Sequence, residues 1–165
     1  VNYIEITNEL NTWLQVAEVV ATDMTNSDVA LASEGAVATA PDSWSAISGP
    51  EKAIDGITLG NYSLGQIFHE GSNNTHDTLT ITFSSLQELN SIQVFGRTDC
   101  CQNRDLFRVT FFGDQQNALY STVLDSRVNG IDPIVVLPNT QVPEPSTIAI
   151  FALGLLGLAS RKFQK

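Results

Sequence analysis

Apolar residues in this chain gather in short strand-like runs, several of which alternate with polar ones. Tyr3 to Thr7 (YIEIT) alternates, and Leu14 to Val20 (LQVAEVV) follows it across the polar turn NELNT. Asp77 to Phe83 (DTLTITF) sets Leu79, Ile81 and Phe83 on one face, the pattern of a strand with one side buried. Ser91 to Phe95, Phe107 to Phe112, Ala118 to Leu124 and Ile134 to Leu137 read the same way. Turn residues such as Ser48-Gly49-Pro50 and Gly71-Ser72-Asn73-Asn74 separate the runs. Ser84 to Leu89 is expected to make a single helical turn, and no segment carries a long helical stripe. Short strands divided by turns predict an all-β antiparallel sandwich over residues 1–137.

After Leu137 the pattern changes. Residues 138–147, PNTQVPEPST, form a Pro-rich linker, and residues 148–165 begin with the apolar run IAIFALGLLGLA. That run is twelve residues long, ending at Ala159, and Arg161, Lys162 and Lys165 close it. It is apolar all round and is expected to form a short hydrophobic helix. It falls short of the roughly 20 residues of a straight membrane span. The basic residues behind it would stay on the cytoplasmic side and leave the body outside, so contact with the inner membrane is transient.

Charge separates the two parts further. The tail carries Glu144 against three cations, net +2, which leaves −12 of the chain's −10 on the body. Lys52, Arg97, Arg104, Arg108 and Arg127 are the body's only fixed cations. So acidic a body repels phosphate backbones and excludes nucleic acid as a partner. Its carboxylates suit either divalent cations or simple solubility.

The tail has a specific likeness. Val142-Pro143-Glu144-Pro145-Ser146, a short apolar helix and a basic end with Arg161 resemble the PEP-CTERM sorting signal. The resemblance implies an exported bacterial protein whose tail is read by an exosortase. The body would then be released or transferred to the cell surface or the exopolysaccharide matrix.

The densest chemistry in the body is Arg97-Thr98-Asp99-Cys100-Cys101-Gln102-Asn103-Arg104. Two of the five body cations lie seven residues apart here, just after a predicted strand. Converging guanidiniums can grip several oxygens of one ligand, such as the hydroxyls of a neutral sugar. The plain alternative is that Arg97 and Arg104 pair with Asp99 and Asp105 around a loop. Cys100 and Cys101 are the chain's only cysteines. They are reduced, joined to each other in a strained ring, or bonded to another chain; export favours oxidation.

The pattern R-x-D-C-C-x-x-R resembles the fucolectin family, whose members have the galactose-binding-like (discoidin-type) antiparallel β-sandwich. The resemblance runs from about Tyr3 to Ser126. It implies that Arg97, Arg104 and a histidine bind the sugar, and that Cys100 and Cys101 form a disulfide packed against it. In the family the histidine follows an A-I-D-G turn. Here Ala53-Ile54-Asp55-Gly56 is followed by His69, about thirty residues before Cys100, and His76 fits that spacing worse.

The family also implies a structural calcium, held by one aspartate, backbone carbonyls and a glutamate from an L-x-L-x-E-V-x-V strand. Asp55 matches the aspartate, Lys52 and Ile57 offer carbonyls, and Glu18 matches the glutamate. The glutamate strand normally ends the domain but lies near the start here, a permuted order that adjoining sandwich termini permit. Gln66 stands where the family commonly offers a hydroxyl, and Thr78-Leu79 replaces an aromatic pair.

The expected function is therefore an exported carbohydrate-binding module, with a structural or adhesive matrix protein of the same fold as the alternative. No nucleophile elbow, H-E-x-x-H or cysteine-rich metal motif is present in the sequence, and no catalysis is expected.

Overall fold

The computed structural model describes residues 1–72, 77–127 and 133–137. The linker, the apolar run, His76 and the sorting residues Val142, Pro143, Glu144, Pro145 and Arg161 lie outside the described residues.

The described chain is all-β, with every strand pairing antiparallel and 3₁₀ turns in place of α-helices. Five strands form one sheet: β1 (Tyr3–Asn8), β4 (Val37–Thr39), β6 (Leu79–Thr82), β8 (Leu106–Phe112) and β9 (Ala118–Asp125). Their order is β4-β6-β1-β8-β9. A second sheet has the order β10-β7-β3, from β3 (Glu18–Asp23), β7 (Leu89–Phe95) and β10 (Ile134–Val136). β2 (Gln15–Val16) and β5 (Phe68–His69) make a separate two-residue ribbon.

One core serves both main sheets. From the larger come Ile4, Ile6, Leu79, Ile81, Phe107, Val109, Phe111 and Leu124; from the smaller come Val19, Ala21, Ile92 and Val94. β1 is central because both of its edges are paired, Ile4 lying opposite Ile81 on one side and Phe111 on the other. Its alternation reaches the core at every second residue and ends on a buried polar one, Asn8. Burying each large apolar side chain stabilises the fold by about 2 kcal/mol.

Two expectations are corrected. Leu14 to Val20 is not one strand. The chain breaks at Ala17, whose N–H bonds the carbonyl of Phe95, and passes from the β5 ribbon to the β7 edge. Residues 14–19 are buried on both sides, which removes the alternation that would mark the crossing. Ser84 to Leu89 makes no helical turn. Its backbone is satisfied by the chain's start instead, with Gln87 N–H on the Val1 carbonyl at 2.8 Å and the Val1 ammonium on the Gln87 carbonyl at 2.6 Å.

Candidate functional site

The β2–β5 ribbon sets His69 opposite Gln15 and leaves its ring among aromatic neighbours. Trp13 lies 5.3 Å away by ring centroids, Trp44 5.6 Å and Tyr62 5.8 Å. Trp13 and Trp44 meet edge to face at 5.1 Å. The His69 Nδ1 bonds the Glu70 carbonyl at 2.8 Å. A carbonyl only accepts, so Nδ1 carries the proton and Nε2 keeps a lone pair. Burial lowers the His69 pKa, and the charges of Arg97 and Arg104 lower it further, against the Glu70 hydrogen bond that raises it. The ring is held neutral, as an acceptor beside two cationic donors.

Arg97 leaves β7 through Gly96 and lies with its guanidinium carbon 5.0 Å from the Tyr62 ring centroid. Its Nε and Nη2 donate to the two oxygens of Asp99 at 2.6 and 3.2 Å. That pairing holds the Asp99 carboxyl below the usual range. Cys100 and Cys101 are joined by a disulfide. Cys101 has φ 63°, left-handed, and caps the 3₁₀ turn Gln102–Arg104; its carbonyl accepts from Arg104 N–H at 2.9 Å. Asn8 ties this loop to the Trp13 loop, its Nδ2 donating to the carbonyls of Trp13 and Arg104, both at 2.9 Å.

His69, Arg97 and Arg104 thus share one neighbourhood, with the disulfide between the arginines in sequence. The sequence reading missed Trp13, Trp44 and Tyr62. None lies in an alternating run, and the one available signal was that both tryptophans of the chain stand in polar segments.

A second cluster lies at the A-I-D-G turn. Glu18 is 1 % exposed, and its Oε2 accepts from the N–H groups of Gly56 at 2.8 Å and Ile57 at 3.2 Å. Its Oε1 is buried with no hydrogen-bond partner, and burial pushes the carboxyl up to about 7. Asp55 accepts from Ile57 N–H at 3.0 Å and stands 3.9 Å from the Lys52 ammonium. All four residues named for calcium are gathered here. A buried carboxylate oxygen without a partner, beside a second carboxylate, fits a hard cation. Among the described residues no three His, Cys, Asp or Glu side chains group to hold a metal, so such an ion would depend on backbone carbonyls of the turn.

Glu70 is a buried carboxyl of another kind. It is 1 % exposed with Oε1 unpartnered. Burial raises its pKa from 4.5 to about 7, with the backbone of Leu14 opposing and Asp77 and Asp42 adding to the rise. A raised carboxyl favours folding while protonated. Its contribution is complete below pH 4.5 and is lost as pH climbs through about 7. Glu70→Gln should therefore raise stability at pH 8 by roughly 2 kcal/mol after solvent screening, and add little at pH 4. Urea midpoints of parent and variant at the two pH values check this; an equal shift at both would refute it.

Residues 141–162 match the PEP-CTERM protein-sorting motif. The protein is exported and sorted to the cell envelope, with exosortase as its processing partner. No curated protein and no solved structure matches the chain.

Proposed function

We propose that the body of this exported protein is a carbohydrate-binding module of galactose-binding-like fold, taking fucose-like or galactose-type glycans of the envelope or exopolysaccharide matrix. It binds without catalysis. The observation that carries this reading is the convergence of a neutral, acceptor-bearing His69 with Arg97 and Arg104 beside aromatic rings. Sugar hydroxyls need both acceptors and donors, and sugar C–H faces need flat apolar partners. The Cys100–Cys101 ring supplies a further apolar surface next to the arginines. Calcium at Glu18, Lys52, Asp55 and Ile57 would neutralise the buried carboxylate and brace the turn; its role is structural, and no sugar contact passes through it.

The second reading is a structural or adhesive matrix protein of the same fold without a sugar ligand. The two-pronged bond of Arg97 to Asp99 favours it, since that guanidinium is already engaged.

Thermal unfolding of the oxidised protein with L-fucose or D-galactose, with and without calcium, separates the two. A ligand present at a hundred times its Kd stabilises by about 2.7 kcal/mol, a shift of several degrees. We expect such a shift with one of these sugars, lost in Arg97→Ala while the variant stays folded. Sugar-independent unfolding of a folded, oxidised sample would favour the matrix reading, and unfolding of Arg97→Ala itself would assign Arg97 to the fold.

A further inference from the structure

Trp44 is 54 % exposed, an unusual state for so large an apolar ring. It is nevertheless held firmly. The Trp44 backbone N–H donates to the His69 carbonyl at 2.8 Å, and the loop around it is pinned on both flanks. On one flank, Asp42 Oδ1 accepts from Gly71 N–H at 2.7 Å. On the other, Ser45 accepts from the Tyr62 hydroxyl at 3.2 Å, while its N–H donates to Ser48 Oγ at 3.2 Å. The ring leans on Trp13 and His69, and its exposed surface is not spent on any contact within the described residues that would account for it.

We propose that Trp44, backed by Trp13, is a second subsite that stacks the C–H face of a neighbouring sugar ring, so the preferred ligand is a glycan of two or more units rather than a free monosaccharide. The proposal rests on the carbohydrate reading given above. Its geometry is a division of labour across 5.6 Å. The polar edge of one sugar meets the His69 acceptor and the arginine donors. The next sugar along the chain lies over a ring that offers no hydrogen bond except its indole N–H. A fixed aromatic surface takes this contact at low entropic cost, because the loop is ordered before the ligand arrives.

Trp13 and Trp44 are the chain's only tryptophans, so selectively excited tryptophan fluorescence reports on this shelf alone. The test is calorimetric and fluorescence titration of the full chain with methyl α-L-fucoside, 2′-fucosyllactose, D-galactose and lactose. The longer sugar of one pair should bind about tenfold more tightly than its monosaccharide and alter tryptophan emission. Trp44→Ala should bring that ratio to within about twofold, and Trp44→Phe should restore most of it. Arg97→Ala should weaken both members of the pair alike and leave the ratio unchanged. Equal affinity for short and long sugars, with Arg97 still required, overturns the second subsite and leaves the first intact. So does a ratio that survives Trp44→Ala. Silence toward all four sugars overturns the carbohydrate reading and this proposal with it.

Discussion

Gly60→Ala should cost the protein about 3 kcal/mol and lower its melting temperature by roughly 10 °C. The reason is the closeness of two backbones. A Cβ at residue 60 would lie 2.3 Å from the carbonyl oxygen of Gly96, 2.9 Å from the Thr98 nitrogen and 3.0 Å from the Arg97 Cα. None of these is the end of a flexible side chain that can swing away. The Thr98 N–H bonds the Gly60 carbonyl at 2.8 Å, so separating the segments also breaks that bond. The same approach brings Tyr62 against the Arg97 guanidinium. If the body binds a sugar as proposed, the substitution should also weaken that binding beyond what the lost stability explains. Thermal unfolding and a glycan titration below the melting range measure the two effects separately. A variant as stable as the parent would refute the close approach.

Asn8→Ala should be nearly as damaging, again at about 3 kcal/mol. Asn8 is 4 % exposed and makes three hydrogen bonds. Its amide donates to the Trp13 and Arg104 carbonyls, and its Oδ1 accepts from Leu10 N–H at 2.8 Å. Alanine leaves those backbone groups short of a partner in a poorly solvated place, at a cost of about 1 kcal/mol for each bond. It also releases the two loops that carry Trp13 and Arg104. Asn8→Asp is the informative control, since it keeps the acceptor for Leu10 and loses both donors. Urea unfolding at neutral pH should rank the parent above both variants, with Asp level with or below Ala because its buried carboxylate would face the Trp13 and Arg104 carbonyl oxygens. Parent-like stability of the alanine variant would show that the clamp carries no weight.

These two residues mark the boundary of what sequence reasoning reaches. Asn8 ends an alternating run that pointed correctly to β1, but nothing local says that its amide spans 96 residues to Arg104. Gly60 sits in a stretch without periodicity, and its need for a bare Cα comes wholly from the 96–98 backbone. Tyr62, Trp44 and Trp13 share that position: loop residues whose role is set by what the loops meet.

Where one face of a strand is buried and the other is wet, hydrophobicity alternates and the strand is legible. That holds for β1, β6 and β8. The PEP-CTERM tail is legible too, because a sorting signal must be read from local sequence by another protein. The RTDCCQNR loop stood out through its rare chemistry, two arginines around adjacent cysteines in an acidic body. Tertiary structure alone decided the rest. β4 and β5 have three and two residues, too few for any period, and exist because β6 and β2 offer edges to pair with. The Ala17 crossing is hidden by burial on both sides. The gathering of His69, Arg97 and Arg104, and of Glu18 with Asp55, was expected through the family resemblance alone; no local pattern carries it, because it depends on loops distant in the chain docking on one another. Periodicity records which side of a strand meets water; it carries no record of which loops meet each other.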